Sequence, residues 1–488
     1  MAIINYSAYF LFLLLSTVLP LFLFSCSEKV EAYRFGEMFA NHQLHTFHVV
    51  SLSSLQPAAV CSTSAQGSKN ICKLLPVAHK YGPCSPLKKG KSKFSIARQI
   101  LIDDENRVKS IHSKISNKQS PVADSTITLP ANSGAYLGTG NFVVNIGIGT
   151  PEKKFTVAFD TGSDLTWIQC LPCNASQCYS QQDPYFNPSA SSTYSNIPCN
   201  SSVCTQLQLI LGDTLSCNTT TTCQYQIFYG DSSFSQGDFA TDTLTLSSSD
   251  VFPDFQFGCG HNNQGLFGST DGLLGLSRDQ ISLVSQTVQR YGKLFSYCLP
   301  PTSSSTGFLA FGCEAGSSST LQYTPLLTNQ NDPLSYYLNM TGISVGGQML
   351  NISESVFTTS GTIIDSGTVI TRLAPTAYSA LRSAFRQGMS KYPMAPSPNS
   401  IFDTCYDFSG YSTVDLPTIG LNFEGDTDLN VDQSGTLFQA SSTVYCLAFA
   451  GNSADTDLGI LGNTQQLTFE VVYDVEGAKL GFGAGACS

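Results

Sequence analysis

From residue 139 onward, short apolar runs alternate with clusters of Gly, Ser, Thr, Asn and Pro. This is the pattern of many short strands joined by turns. Residues 141–149 (N-F-V-V-N-I-G-I-G) alternate as a sheet strand does, and Thr150-Pro151 ends it. In residues 155–170 (F-T-V-A-F-D-T-G-S-D-L-T-W-I-Q-C) a buried-strand signal at Val157, Ala158 and Phe159 delivers Asp160 into a Thr161-Gly162-Ser163 turn. An acid at the end of a buried strand costs free energy unless it is hydrogen-bonded or paired. Residues 361–373 (G-T-I-I-D-S-G-T-V-I-T-R-L) repeat the arrangement, with Ile363 and Ile364 leading to Asp365, Ser366, Gly367 and Thr368. Each copy is followed by an apolar-apolar-Gly element, Leu273-Leu274-Gly275 in the first half and Ile460-Leu461-Gly462 in the second. The same order of parts twice over implies a duplicated unit, with one carboxylate from each half at a shared interface. Between the copies, residues 224–237 read as a hairpin turning at Gly230-Asp231-Ser232.

A helical spacing of apolar residues appears in two places. One spans 95–116, with Ile96, Ile100, Val108, Ile111 and Ile115; the other spans 375–389, with Tyr378, Leu381 and Phe385 on a core-facing side. Residues 9–24 form an apolar run broken only by Ser16, Thr17 and Pro20, and Ser25-Cys26-Ser27 follows. The run is short for a membrane span and predicts a signal peptide over 1–27. An uncleaved anchor is the alternative, because the basic residues that usually precede such a run are missing. No later run is long enough to span a bilayer, and no hydrophobic tail for a lipid anchor ends the chain, so the expectation is no membrane association after signal removal.

Composition sharpens this outline. The 488 residues carry a formal net charge of −11, and only 12% are charged. The balance is uneven: residues 1–135 hold 14 Lys+Arg and 7 Asp+Glu, leaving 10 and 28 for residues 136–488, or +7 against −18. An acidic body disfavours nucleic acid as a partner, since phosphate affinity rests on lysine and arginine. Thirteen of the 17 cysteines fall at or after Cys170, and seven of them (170, 173, 178, 199, 204, 217 and 223) crowd into 54 residues rich in Ser, Thr, Asn and Pro. A segment with so little apolar area is ordered by disulfides, which implies an oxidising compartment. Of the six histidines only His261 lies beyond residue 135, so the Cys170-Leu-Pro-Cys173 fragment has no partners for zinc. We expect no metal and no cofactor. Sequons at Asn174, Asn200, Asn218, Asn339 and Asn351 mark candidate glycosylation sites.

The paired D-T-G-S and D-S-G-T motifs, their apolar-apolar-Gly partners and the cysteine-rich insertion resemble a pepsin-type aspartic protease. The insertion places the likeness in the atypical plant, nepenthesin-like branch, near the chloroplast-nucleoid DNA-binding protease type. The resemblance covers residues 139–488 and, more weakly, the N-terminal stretch. It implies a predominantly all-β, bilobal fold: two pseudo-symmetric β-barrel-like lobes, few short helices and a cleft between them. On that plan 28–135 is a basic pro-segment. Residues 136–320 form the N-terminal lobe, with the insertion over 170–223 and the flap over 224–237, and 321–488 form the C-terminal lobe. The Ser/Gly-rich stretch 315–320 marks the boundary.

The resemblance makes Asp160 and Asp365 the catalytic dyad, supported by Thr161, Gly162, Ser163, Ser366, Gly367 and Thr368. Ser163 and Thr368 would hydrogen-bond the outer carboxylate oxygens. Tyr229, with Gly230, would sit on the flap, and Trp167, the only tryptophan, would hydrogen-bond Tyr229. By the same likeness Cys170 pairs with Cys173, Cys178 with Cys259, Cys199 with Cys223, Cys204 with Cys217, Cys298 with Cys487 and Cys405 with Cys446. Sequence alone does not fix connectivity. Cys313 is then left as a free thiol or an intermolecular link.

Peptide hydrolysis without metal or covalent intermediate needs a base to activate water and an acid to polarise the carbonyl. Two close carboxylates sharing one proton supply both, with apparent pKa values that belong to the pair. The expectation is an acid-active, monomeric aspartic endopeptidase acting on extended polypeptides. It is made as a zymogen whose basic pro-segment, through a lysine, pairs with the dyad and is cut between 124 and 139. A solvated basic linker is the plainer reading of that segment. Secretion to the apoplast is the expected route, with vacuole or plastid as alternatives. Two other functions compete: a catalytically inactive, protease-like inhibitor or binding protein, and a nucleic-acid-binding protease using the lysine run over 88–93.

Overall fold

The computed structural model describes residues 46–62, 74–87, 93–119, 141–211, 217, 221–229, 233–265, 267–314, 321–397 and 399–487. The leader 1–27, the cleavage region 124–139, the boundary 315–320, Gly230 and Asn218 lie outside them. The description concerns the unit formed by residues 47–488.

Strands dominate, as the alternating pattern demands. A 14-stranded sheet joins the two halves of the chain. From one edge it runs through Gln322–Pro325, Lys479–Gly483, Glu470–Asp474, Leu294–Cys298 and Thr306–Phe311. It continues through Leu74–His79, Phe142–Ile148 and Lys153–Asp160 to Gly272–Gly275 and Trp167–Gln169, and ends in the long strands Asp250–Gln264 and Phe234–Ser247 with short Ser195–Asn196. The second half adds a six-stranded sheet and two four-stranded sheets. The basic N-terminal segment is woven into this frame. Its strand Leu74–His79 lies in the middle of the large sheet, antiparallel to both neighbours, with Leu309↔Leu75 and Ala78↔Val143 in register. Phe47–Ser51 pairs with Thr413–Pro417.

Both halves repeat one topology around their aspartate. Lys153–Asp160 runs parallel to Gly272–Gly275, with Gly275 opposite Asp160, and Gly272–Gly275 pairs antiparallel with Trp167–Gln169. Thr362–Ile364 runs parallel to Gly459–Leu461, which pairs antiparallel with Thr371–Leu373 at Arg372↔Ile460. The duplication legible in the motifs is thus a duplication of strand pairing.

The helix expected over 95–116 spans Lys93–Gln119, with Ile100, Val108 and Ile111 buried. The second, Pro375–Gly388, carries Pro at its first position, where a missing N–H costs nothing. It buries Ala377, Tyr378, Leu381 and Phe385.

The cysteines correct four expected pairings. The structure joins Cys170 to Cys259, Cys173 to Cys178, Cys199 to Cys217 and Cys204 to Cys223. These replace Cys170–Cys173, Cys178–Cys259, Cys199–Cys223 and Cys204–Cys217. The cause is strand order: Trp167–Gln169 lies parallel to Asp250–Gln264 with Ile168 opposite Cys259, which carries Cys170 to within a Cα distance of 5.3 Å of Cys259. Four sulfurs of the insertion crowd together, with Cys204 Sγ only 3.9 Å from Cys217 Sγ, so partner choice is decided by local geometry. Cys298–Cys487 and Cys405–Cys446 are closed, and Cys61–Cys84 ties the N-terminal segment. Cys313 is disulfide-bonded and is not the free thiol or intermolecular link anticipated. Among the sequons, Asn174, Asn200 and Asn351 are exposed, while Asn339 is half-buried and donates to Glu424 at 3.0 Å.

Candidate active site

Each aspartate ends a buried strand and turns back into a Gly-containing loop that solvates it with its own backbone. Gly162 N–H donates to Asp160 Oδ1 at 3.0 Å and the Ser163 hydroxyl to Oδ2 at 2.5 Å. Gly367 N–H donates to Asp365 Oδ1 at 3.0 Å, and the Thr368 hydroxyl donates to Oδ2. These bonds supply what a buried carboxylate needs. The loops then lock to each other: Thr161 N–H donates to Ser366 Oγ at 3.1 Å and Ser366 N–H to Thr161 Oγ1 at 3.0 Å. The two hydroxyls lie 3.3 Å apart. The sequence named Thr161 and Ser366 as supporting residues without revealing this reciprocal bond.

Between the carboxylates sits a residue that the sequence reading missed. Arg107 Nη2 lies 2.9 Å from Asp160 Oδ1 and 2.7 Å from Asp365 Oδ1. Its Nη1 reaches Asp160 Oδ2 at 3.1 Å and its Nε reaches Asp365 Oδ2 at 2.9 Å, so all four carboxylate oxygens are engaged. One nitrogen touching both acids places the two side chains in a single site. A planar fork matches carboxylates in a way a lysine ammonium does not. The lysine expected in this role is corrected to Arg107; of the run 88–93 only Lys93 enters the described residues. Glycine is required where the guanidinium approaches. A Cβ on Gly162 would stand 2.8 Å from Arg107 Nη2, and one on Gly367 would overlap the guanidinium. A signal was present: Asp104 and Arg107 share a helix face with Ile100, Val108 and Ile111, and charge on an apolar stripe is the anomaly worth explaining.

Burial is the main influence on Asp160 and raises its pKa; Arg107 opposes this and Asp365 adds to it. Burial works against the charge on Arg107, but Asp160 and Asp365 outweigh it and hold the guanidinium protonated.

Tyr229 follows the hairpin strand Gln224–Phe228, which pairs with Phe234–Ser247, and its N–H donates to Ser233 O at 2.8 Å. Trp167 Nε1 donates to Tyr229 OH at 2.7 Å, and both rings meet Phe267 edge-on with centroids 5.0 and 5.6 Å away. Phe267 is a further member of this cluster that the sequence did not single out.

Residues 142–313 match the family model described as xylanase inhibitor N-terminal, and residues 335–484 match xylanase inhibitor C-terminal. An aspartyl protease family protein of Arabidopsis thaliana is 47% identical over 448 residues, covering 90% of this chain and 93% of that protein. The chain belongs to the pepsin-like aspartic proteases. Other members of the family are Aspartyl protease AED1 of Arabidopsis thaliana, 46% identical over 90% of this chain and 92% of that protein, and aspartic proteinase nepenthesin-2 of Nepenthes gracilis, 36% identical over 82% and 87%. The solved structure of conglutin gamma from lupine seeds shares the fold with a TM-score of 0.55 at 23% identity, covering 72% of this chain and 92% of that one. As a member of this family the protein is an aspartic-type endopeptidase, and polypeptides are its substrates.

Proposed function

We propose that this structure is the precursor of an acid-active endopeptidase, held inactive by its own N-terminal segment. The carrying observation is the buried Arg107, which occupies all four oxygens of Asp160 and Asp365. With the guanidinium there, no water can sit between the acids. Acid loosens this contact. Burial raises the pKa of Asp160 and Arg107 holds it down, so protonating Asp160 as pH falls forfeits that attraction and leaves a buried guanidinium facing a neutral acid. His79, on the strand Leu74–His79, is pushed down to about 4 by burial first and Lys80 second. Its contribution to docking is present above about 6.5 and is lost as pH falls toward 4. Both changes favour release of the segment and cutting within 124–139.

After release, one member of the dyad is ionised and takes a proton from water as the oxygen bonds to the scissile carbonyl carbon. The protonated member donates to the carbonyl oxygen, giving a tetrahedral diol. Collapse breaks the C–N bond and delivers a proton to the leaving nitrogen. The hairpin carrying Tyr229 closes over the substrate backbone and excludes water. The apolar leader supports entry into the secretory route, and the disulfides suit an oxidising compartment.

A second reading, a binding protein without catalysis, is favoured only by the description of the matching family models. The deciding experiment holds purified precursor at pH 3–4 and follows its own N-terminus and the degradation of denatured protein. Self-cutting within 124–139 and proteolysis abolished by Asp160→Asn and by a peptide-mimetic aspartic protease inhibitor are expected. A precursor that stays intact in acid, yet is cut by an added protease, would reject self-processing. Absence of proteolysis after such cutting would favour the binding protein.

A further inference from the structure

The residue seven positions after each catalytic aspartate stands at the same place in its lobe. Trp167 pairs with Leu273, and Arg372 pairs with Ile460, across equivalent antiparallel strands. Trp167 gives its N–H to the flap tyrosine. Arg372 instead brings a charge into a wall where its side chain is 2% exposed. Its Nη2 bonds Asp104 Oδ2 at 2.9 Å and Glu105 Oε2 at 3.2 Å, and its Nη1 donates to Ile370 O at 3.0 Å. Asp104, fully buried, also accepts the Val369 N–H at 2.6 Å and the Ile370 N–H at 3.4 Å. One guanidinium and two backbone N–H groups of the C-terminal lobe therefore converge on one carboxylate, and that carboxylate belongs to the helix Lys93–Gln119.

When the helix leaves, both acidic partners of Arg372 leave with it. A charged fork, held by Nη1 on the Ile370 carbonyl, and two backbone donors remain, pre-arranged for an anion. We propose that Arg372, with the N–H groups of Val369 and Ile370, is a carboxylate-binding subsite of the cleft. Asp104 fills it in the precursor, and an Asp or Glu side chain of the polypeptide substrate fills it in the mature enzyme. The inference rests on the proteolytic reading of Asp160 and Asp365. Asp104 lies three residues before Arg107, which puts their side-chain bases roughly 5–6 Å apart on the helix. An extended substrate advances about 3.3 Å per residue. The acidic residue thus falls within about three residues of the scissile bond, and Lys or Arg at that position meets a like charge.

The test digests a library of peptides from denatured proteins at pH 5, where free carboxylates are ionised, and reads the cleavage sites by mass spectrometry. Mature wild type, Arg372→Gln and Arg372→Glu are compared, with Asp160→Asn as control. Wild type is expected to enrich Asp and Glu about tenfold at one fixed offset. Arg372→Gln should lose the enrichment and Arg372→Glu should shift it to Lys and Arg. In parallel, kcat/KM of wild type on two peptides differing only by Asp or Asn at that offset should favour Asp about tenfold; this arm needs no variant to fold. Equal rates on the pair, or an unchanged profile in Arg372→Gln, would overturn the subsite while leaving the protease reading intact. Cleavage that persists in Asp160→Asn would overturn the dyad reading and the subsite with it.

Discussion

The two lobes present the same strand pairing to the active site and finish it with different chemistry. At the position seven residues past the aspartate, the N-terminal lobe has Trp167 and the C-terminal lobe has Arg372. One residue before the paired Gly-apolar-apolar element, the N-terminal lobe has Asp271 and the C-terminal lobe has Leu458. Leu458 packs with Ile460, Tyr337, Ile363 and the helix residues Val108 and Ile111. Asp271 instead accepts the Thr156 N–H at 2.5 Å and the Asp183 N–H at 3.3 Å. Duplication supplies a symmetric frame for two acids, and at equivalent positions in that frame one lobe contacts the flap tyrosine through Trp167 and the other contacts the N-terminal helix through Arg372.

The comparison breaks most visibly at the dyad. Asp160→Asn and Asp365→Asn should each lower kcat/KM on denatured protein by about 10²–10⁴-fold, the usual range for losing a general acid or base. A large loss in one variant and near-normal rate in the other would show that the lobes do not share the proton. Arg107→Ala comes next. Breaking a buried charge network costs about 3–5 kcal/mol, so amides of the helix Lys93–Gln119 should exchange with solvent far faster at neutral pH. Unchanged protection would mean that the apolar face alone docks the helix.

A smaller effect distinguishes the lobes by pH. Burial first, and a hydrogen bond with the Asp183 side chain second, push Asp271 up to about 8, against the backbone N–H groups of Thr156 and Asp183, which lower it. A raised carboxyl contributes stability that is complete below about 4 and is lost as pH rises through about 8. Asp271→Asn, which keeps the neutral shape, should flatten the decline in unfolding free energy between pH 5 and 8, read from urea denaturation, by roughly 2–4 kcal/mol. A decline identical to wild type would place the alkaline sensitivity elsewhere. The smallest change is expected from Tyr229→Phe. It removes the acceptor of the Trp167 N–H and should cost about 1–2 kcal/mol, seen as a five- to thirtyfold fall in kcat/KM with the fold intact.

Much of this was legible before any coordinates. Both aspartates, the hairpin and the two helices were marked by strand periodicity and turn chemistry, and the family resemblance pointed to Ser163 and Thr368 as their hydroxyl partners. The partners across space were not. The Thr161–Ser366 lock joins residues 205 positions apart, and the Arg107 contact with Asp365 joins residues 258 apart. Neither separation has a sequence period to announce it. The disulfide exchange within the insertion fails for a related reason: several cysteines lie within reach of one another, and spacing does not rank the choices.

Local chemistry is what the chain by itself determined. Apolar alternation makes strands, a glycine lets a backbone approach a carboxylate, and a motif written twice makes two equivalent half-sites. Only the tertiary structure decided which charges meet. The energy of an ion pair depends on separation and burial, and both are set when distant segments pack together. For that reason Asp104 and Arg107 read as an irregular helix face in one dimension, and in three dimensions they hold Arg372 and the catalytic pair.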